Sequence, residues 1–314
     1  MSPFFLGLDT SCYTTSMAVL DRGGNLVADR RQMLQVKKGQ KGLRQSEALF
    51  QHIRNMPLLF EGAGAEGFCR ETAAVAAGTR PRPEAGSYMP VFLAGESMAR
   101  SLAAGLSALY IESSHQEGHI MAGLWSAALD WQDFWVFHVS GGTTEILQAA
   151  REDRGFTVKK AGGSQDLSAG QFIDRIGVKL GLPFPAGRHL EELARKASGS
   201  LPLPVAVRRR EISFSGPETR AARYLEEGAA QEILARSVEE CIARSLSLAA
   251  RQALPGPGER VLFVGGVMAN ERIKGWLSDE LGDMEVHYAS PAMSGDNAVG
   301  LAEIARRAWL KTNG

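Results

Sequence analysis

Phe4-Phe5-Leu6-Gly7-Leu8-Asp9-Thr10-Ser11 near the start of the chain and Phe134-Trp135-Val136-Phe137-His138-Val139-Ser140-Gly141-Gly142-Thr143-Thr144 near its middle share one plan: an apolar run closed by a turn of small polar residues. Each run continues in the same way. After the first, Thr14 to Leu20 is β-branched and apolar, Asp21-Arg22-Gly23-Gly24 turns, and Asn25 to Ala28 begins a third strand. After the second, Glu145 to Ala150 reads as a strand, Arg151 to Gly155 turns, and Phe156 to Lys159 returns. Two such blocks roughly 130 residues apart indicate an internal duplication. Helical periodicity covers Ser46–Phe60, Leu93–Ala108, Ala169–Leu180, Gly187–Ala197, Gln231–Ala253 and Ser294–Lys311, with short strands at Arg260–Val264 and Val286–Ala289. The pattern predicts an α/β fold in two lobes, each a mixed β-sheet flanked by helices. The expected lobes are residues 1–120 and 121–314, with the last helix packing back on the first. Gly78 to Pro90, rich in Pro, Arg and Gly, reads as the longest loop.

With 314 residues, 44% of them hydrophobic, the chain can fill two cores. Its 35 basic and 35 acidic residues cancel, whereas a free-standing nucleic-acid binder carries a strong basic excess. Contact with RNA would therefore need a local patch or a partner's help. Lys37, Lys38, Lys41, Arg44, Arg80, Arg82 and Arg208–Arg210 are the clustered cations, and such runs are more often solvated surface. Cys12, Cys69 and Cys241 are odd in number and widely spaced, which fits a reducing cytoplasm rather than a disulfide framework. Asp9 interrupts the apolar start too early for a signal segment, and no stretch approaches a membrane span.

Turns of small residues expose backbone N–H groups that cradle phosphate. Asp9-Thr10-Ser11 and Ser140-Gly141-Gly142-Thr143 are two such turns at corresponding places, and Gly265-Gly266 after a buried strand is a third. An Asp closing the first strand can also hold magnesium through water. Read alone, each is a hairpin turn; their correspondence favours a nucleotide.

His115 and His119, in Ser114-His115-Gln116-Glu117-Gly118-His119, project from one face if helical and can share a metal. A zinc protease needs Glu directly after the first His, where Gln116 stands, so that reading is disfavoured. A third ligand is required. Asp296, in Ser294-Gly295-Asp296-Asn297, opens a helix, where a carboxylate also serves as an N-cap. His52, His138, His189 and His287 are isolated and read as ordinary core or surface residues.

These stretches, taken in order with Gly181–Gly187, Ser213-Phe214-Ser215-Gly216 and Gly265-Gly266-Val267-Met268-Ala269-Asn270, resemble the tRNA N6-adenosine threonylcarbamoyltransferase family, long labelled glycoprotease or O-sialoglycoprotein endopeptidase. The resemblance implies an actin-like ATPase fold with ATP or threonylcarbamoyl-AMP bound. It implies a divalent metal (iron, zinc or magnesium) on His115, His119 and Asp296, phosphates at Ser140, Gly141 and Gly142, and the adenosine part near Asp174, Gly187 and Asn270. The implied reaction moves threonylcarbamoyl to N6 of adenosine 37 in tRNA, engaged transiently through TsaB- or TsaE-like partner proteins, by a homo- or heterodimer that uses no membrane.

The chain also departs from that pattern. The family's Asp-Glu pair after Thr-Ser-Cys is Tyr13-Thr14 here, Ser-Gly-Gly-His-Thr is Ser140-Gly141-Gly142-Thr143-Thr144, and Gly-Pro-Gly gives way to Thr79-Arg80-Pro81-Arg82-Pro83. A phenol and a hydroxyl are poor bases near neutral pH; Asp9 and Ser11 are taken as the catalytic candidates, with the family's acidic pair replaced. Two expectations follow: a transferase resting on metal and positioning, or a diverged, catalytically impaired paralogue that binds nucleotide and regulates a true transferase. A sugar- or acid-kinase relative would need a carboxylate base that the sequence does not identify.

Overall fold

The computed structural model describes residues 3–11, 13–36, 43–61 and 68–313. They form two compact units: Met1–Trp131 with Ala150–Thr157 and Gly295–Gly314, and Gln132–Ala149 with Val158–Ser294.

In the first unit, β1 (Phe4–Asp9), β2 (Thr14–Leu20) and β3 (Leu26–Met33) form an antiparallel meander, followed by α1 (Gln45–Glu61), β4 (Thr72–Arg80), α2 (Phe92–Leu106), β5 (Leu109–Ser114) and α3 (His115–Ser126). The sheet order is β3-β2-β1-β4-β5, with β1, β4 and β5 parallel. Alternation divides its residues between two faces. Leu6, Leu8, Met17, Val19, Val75 and Ala77 pack with Met56 and Leu59 of α1 and Ala99 and Ala103 of α2. The other face receives the C-terminal helix, where Phe5 meets Trp309 with ring centroids 5.6 Å apart.

The second unit repeats the plan with β6 (Asp133–Val139), β7 (Thr144–Glu152) and β8 (Gly155–Ser164). Next come α4 (Ala169–Lys179), α5 (Gly187–Ala194), β9 (Ala206–Arg208), β10 (Glu211–Ser213), α6 (Ser215–Glu226) and α7 (Gln231–Ala253). The element order ends with β11 (Arg260–Val264), α8 (Glu271–Glu280), β12 (Glu285–Tyr288), α9 (Pro291–Ser294) and α10 (Val299–Asn313), the last of which lies in the first unit. The sheet order is β12-β11-β6-β7-β8-β10-β9. Its first five strands match β5-β4-β1-β2-β3 one for one, so the duplication extends to sheet order. Phe137, Phe172, Phe214, Phe263 and Ile242 are fully buried in its core.

Two local expectations are corrected, and one strand is added. The loop expected over Gly78–Pro90 begins only after Arg80, because Thr72-Ala73-Ala74-Val75-Ala76-Ala77-Gly78-Thr79-Arg80 is the central strand β4. Alanine is a poor strand former in isolation. Here Ala74, Ala76 and Ala77 are fully buried, and small side chains let helices approach both faces. Leu109–Ser114 is likewise a strand that the periodicity left unassigned. The final helix is broken: α9 ends at Ser294 and α10 begins at Val299.

Candidate functional site

β5 ends at Ser114, whose side chain starts α3 through a reciprocal capping box with Glu117. That cap fixes His115 as the first helical residue and His119 one turn later, on the same side. Their Nε2 atoms are 3.1 Å apart and the rings meet edge to face at 4.4 Å between centroids. Glu117 has no base-like freedom. Its Oε2 accepts from Ser113 and Ser114, and its Oε1 accepts from the backbone N–H of Phe156 at 3.1 Å.

Asp296 reaches this pair from the break between α9 and α10. The Asn297 Oδ1 accepts from the Val299 N–H at 3.0 Å, at the start of α10. The Asp296 Oδ1 lies 3.6 Å from His115 Nε2 and 3.4 Å from His119 Nε2. All three donors fall within 4.8 Å of one another. An ion held tetrahedrally at about 2.1 Å separates its ligands by about 3.4 Å, so the spacing and the two-imidazole, one-carboxylate chemistry both suit zinc, iron or a similar divalent cation.

Close helix crossing makes that convergence possible. A Cβ on Gly300 would lie 1.9 Å from the carbonyl oxygen of Gly118, and one on Gly7 would lie 2.2 Å from that of Ala298. Gly118 stands between the two histidines and Gly300 four residues past Asp296, so the missing side chains set how near α3 and α10 approach. Neither glycine carries a sequence signal that marks it as part of a site.

Asp9 closes β1 beneath the histidines. Its Oδ2 accepts from His115 Nδ1 at 3.0 Å and from Ser11 Oγ at 2.5 Å. Ser11 is thereby committed to Asp9, and Thr10 to α2, donating to Val91 O and accepting from Gly95 N–H. Burial disfavours charge on His115, but Asp9 outweighs it and raises the imidazole to about 9. Burial and the neighbouring His115 lower His119. Tyr13 is partly exposed and Thr14 enters β2.

In the second unit the residues expected to meet phosphate lie at strand ends. Ser140-Gly141-Gly142-Thr143 joins β6 to β7 as a turn closed by Ser140 N–H to Thr143 O at 2.7 Å and Thr143 N–H to Ser140 Oγ at 3.1 Å. It is seated on the start of α4, where Ser168 Oγ donates to Gly141 O at 2.7 Å. Any Cβ on Gly170 would come within 2.5 Å of Gly141 Cα, while one on Gly141 or Gly142 would touch nothing. Gly265 ends the neighbouring parallel strand β11 with φ +99°, close against Val139 O, and Gly266 beside it is open. Paired strand ends next to a helix N-terminus form the usual crevice for phosphate in α/β sheets.

Asp174 on α4 accepts from Ala186 N–H at 2.8 Å, just before Gly187, and burial raises its carboxyl above the usual range. Asn270 is spent largely on structure. Its Oδ1 accepts from Arg272 and Ile273 N–H groups, and its Nδ2 donates to the buried Glu239 at 2.6 Å. Ser213 and Ser215 both donate to Asp166, which fastens the start of α6. Lys37, Lys38 and Lys41 lie outside the described residues. Arg210 stacks over Trp135 at 5.8 Å, while Arg208 and Arg209 are exposed. Among the described residues, no helix is long and apolar enough to cross a membrane.

Residues 31–303 match the model of the tRNA N6-adenosine threonylcarbamoyltransferases. Relatives bearing that name include one from Thermus thermophilus, 32% identical over 98% of this chain and 92% of its own length. Another, from Methanopyrus kandleri, is 28% identical over 95% of this chain and 85% of its own. Among solved structures, the activator of 2-hydroxyisocaproyl-CoA dehydratase from Clostridium difficile with bound ADPNP superposes with TM-score 0.59 at 14% identity, over 99% of this chain and 97% of that one. HypF from T. kodakarensis superposes with TM-score 0.61 at 16% identity, over 99% of this chain and 48% of that one. The likeness establishes an actin-like ATPase fold.

Proposed function

The chain belongs to the tRNA N6-adenosine threonylcarbamoyltransferase family, and from that premise we propose that it transfers threonylcarbamoyl from threonylcarbamoyl-AMP to N6 of adenosine 37 in tRNA, with a divalent metal on His115, His119 and Asp296. The observation that carries the reading is the convergence of those three donors at ligand-to-ligand spacing. The phosphate of the adenylate rests on the open backbone of Ser140, Gly141, Gly142 and Thr143 and of Gly265 and Gly266. Asp174, Gly187 and Asn270 border the adenosine part, with Asn270 held in one orientation by Glu239.

In the transfer, the adenosine N6 attacks the carbamoyl carbon, the bond from that carbon to the phosphate oxygen breaks, and AMP leaves while one N6 proton passes to solvent. Held by His115, His119 and Asp296, a divalent metal would supply Lewis-acid stabilisation of developing negative charge. The N–H groups of the Ser140–Thr143 turn donate to phosphate. Tyr13 and Thr14 supply no carboxylate at the family's acidic pair, so the rate rests on positioning rather than on a general base. In the cytoplasm the protein would work with TsaB- or TsaE-like partners that present the tRNA, since its own charge is balanced.

The test is incubation of the purified protein with threonylcarbamoyl-AMP, unmodified tRNA and the partner proteins, followed by nucleoside analysis. Modified adenosine that disappears with His119→Ala is expected. No modified adenosine from the wild-type protein would refute the transferase reading.

A further inference from the structure

Asp9 is fully buried. Its Oδ2 takes two donors, Ser11 Oγ and His115 Nδ1, and its Oδ1 is buried with no hydrogen-bond partner among the described residues. That second oxygen lies against Gly78 of β4, where a Cβ would come within 2.4 Å of it. A buried carboxylate with a bare oxygen is costly unless a cation lies near. In the metal-free chain the adjacent His115 ring is the partner that offsets it, which ties the Asp9 carboxylate to that ring.

An ionised carboxylate only accepts hydrogen bonds, so its contact with His115 Nδ1 places a proton on that nitrogen. In the neutral ring, which is the form that ligates, the Nε2 lone pair is then the one available to an ion, and Nε2 is the atom that converges with His119 Nε2 and Asp296 Oδ1. Asp9 itself stands outside the three-donor group. We propose that Asp9 is a positioning residue of the metal centre: it fixes the ring and tautomer of His115 and supplies the buried counter-charge of the bound divalent cation, with Gly78 providing the space that it occupies. The inference rests on the metal reading above and adds a residue to it. A carboxylate behind a ligating imidazole raises the basicity of the ligand and holds its direction, and removing such a partner lowers metal affinity by about 10- to 100-fold.

Cobalt(II) is the probe, because its visible absorption reports ligand geometry as well as occupancy. Titrations compare the wild type with Asp9→Asn, Asp9→Ala, Gly78→Ala and, as the ligand control, His119→Ala, with unfolding curves recorded on each. Asp9→Asn keeps size and shape while removing the charge, so it separates the proposal from a packing role. Expected are cobalt affinities about 10-fold weaker for Asp9→Asn and up to about 100-fold weaker for Asp9→Ala, with a reshaped absorption envelope. Gly78→Ala should weaken binding in the same direction by displacing Asp9. Asp9→Asn and Gly78→Ala binding cobalt as the wild type does, while His119→Ala fails, would overturn the positioning role and leave the metal centre standing. A wild-type protein that takes up no cobalt would overturn both.

Discussion

The two units share a strand order but use the turn after their first strand in opposite ways. In the first, Asp9-Thr10-Ser11 spends its side chains inward, on His115, α2 and one another. In the second, Ser140-Gly141-Gly142-Thr143 closes on itself and leaves two glycines open. One copy of the duplicated turn supports a side-chain site, and the other presents backbone. Duplication preserved the scaffold, and the chemistry diverged at a few positions on it.

That contrast can be broken experimentally. The largest effect is expected from His119→Ala, which should reduce divalent metal affinity by about 100-fold or more, read by metal titration, with the unfolding midpoint little changed. Gly300→Ala should follow. Its Cβ would collide with the Gly118 backbone, so destabilisation of roughly 3 kcal/mol is expected in chemical unfolding. Loss of metal should accompany it, because α3 and α10 can no longer approach. In the second unit, Gly170→Ala should push the phosphate turn aside and weaken adenine-nucleotide binding by about 10-fold in a calorimetric titration. Gly141→Ala, which meets no atom, should change stability by no more than about 0.5 kcal/mol. If Gly141→Ala destabilises as much as Gly300→Ala, the turn of the second unit is not open as described.

pH should separate the units further. Burial lowers His52 to about 4, against Asp9 and Asp296, which raise it. Its folded pKa lies below the unfolded value, so its stabilisation is present above pH 6.5 and is lost as pH falls towards 4, by at most about 3 kcal/mol. Burial raises Glu239 to about 7, despite Asn270 and Arg272. The sign is reversed there: stabilisation is present below pH 4.5 and lost as pH rises through 7. Hydrogen exchange followed from pH 4.5 to 6.5 should show the β2 and α1 amides gaining protection while those of α7 lose it. Parallel trends in both would contradict these burial effects.

Much of this was legible in the sequence, for identifiable reasons. The duplicated meanders announce themselves because β-branched and aromatic residues alternate with glycine-bearing turns. The histidine pair is visible because helical spacing places i and i+4 together. β4 was not, because its alanines suit a strand only once helices cover both faces. Nor could spacing decide whether Asp296 caps a helix or faces the histidines; that depends on the break between α9 and α10, from which its carboxylate comes within 3.4 Å of His119 Nε2. Gly118, Gly300 and Gly78 act by lacking a side chain, which becomes meaningful only when the opposing backbone is known. Of the histidines that read as ordinary core or surface residues, His52 is buried, with Nδ1 2.9 Å from Thr15 Oγ1.

On the proposed reading, a divalent ion would be held by His115, His119 and Asp296, which the α3–α10 crossing brings together. Anomalous diffraction at a metal absorption edge, on crystals of the purified protein, tests it most directly. A single peak about 2.0–2.2 Å from His115 Nε2, His119 Nε2 and an Asp296 oxygen is the predicted result. A metal-replete crystal whose only anomalous peak lies away from those three atoms would contradict it.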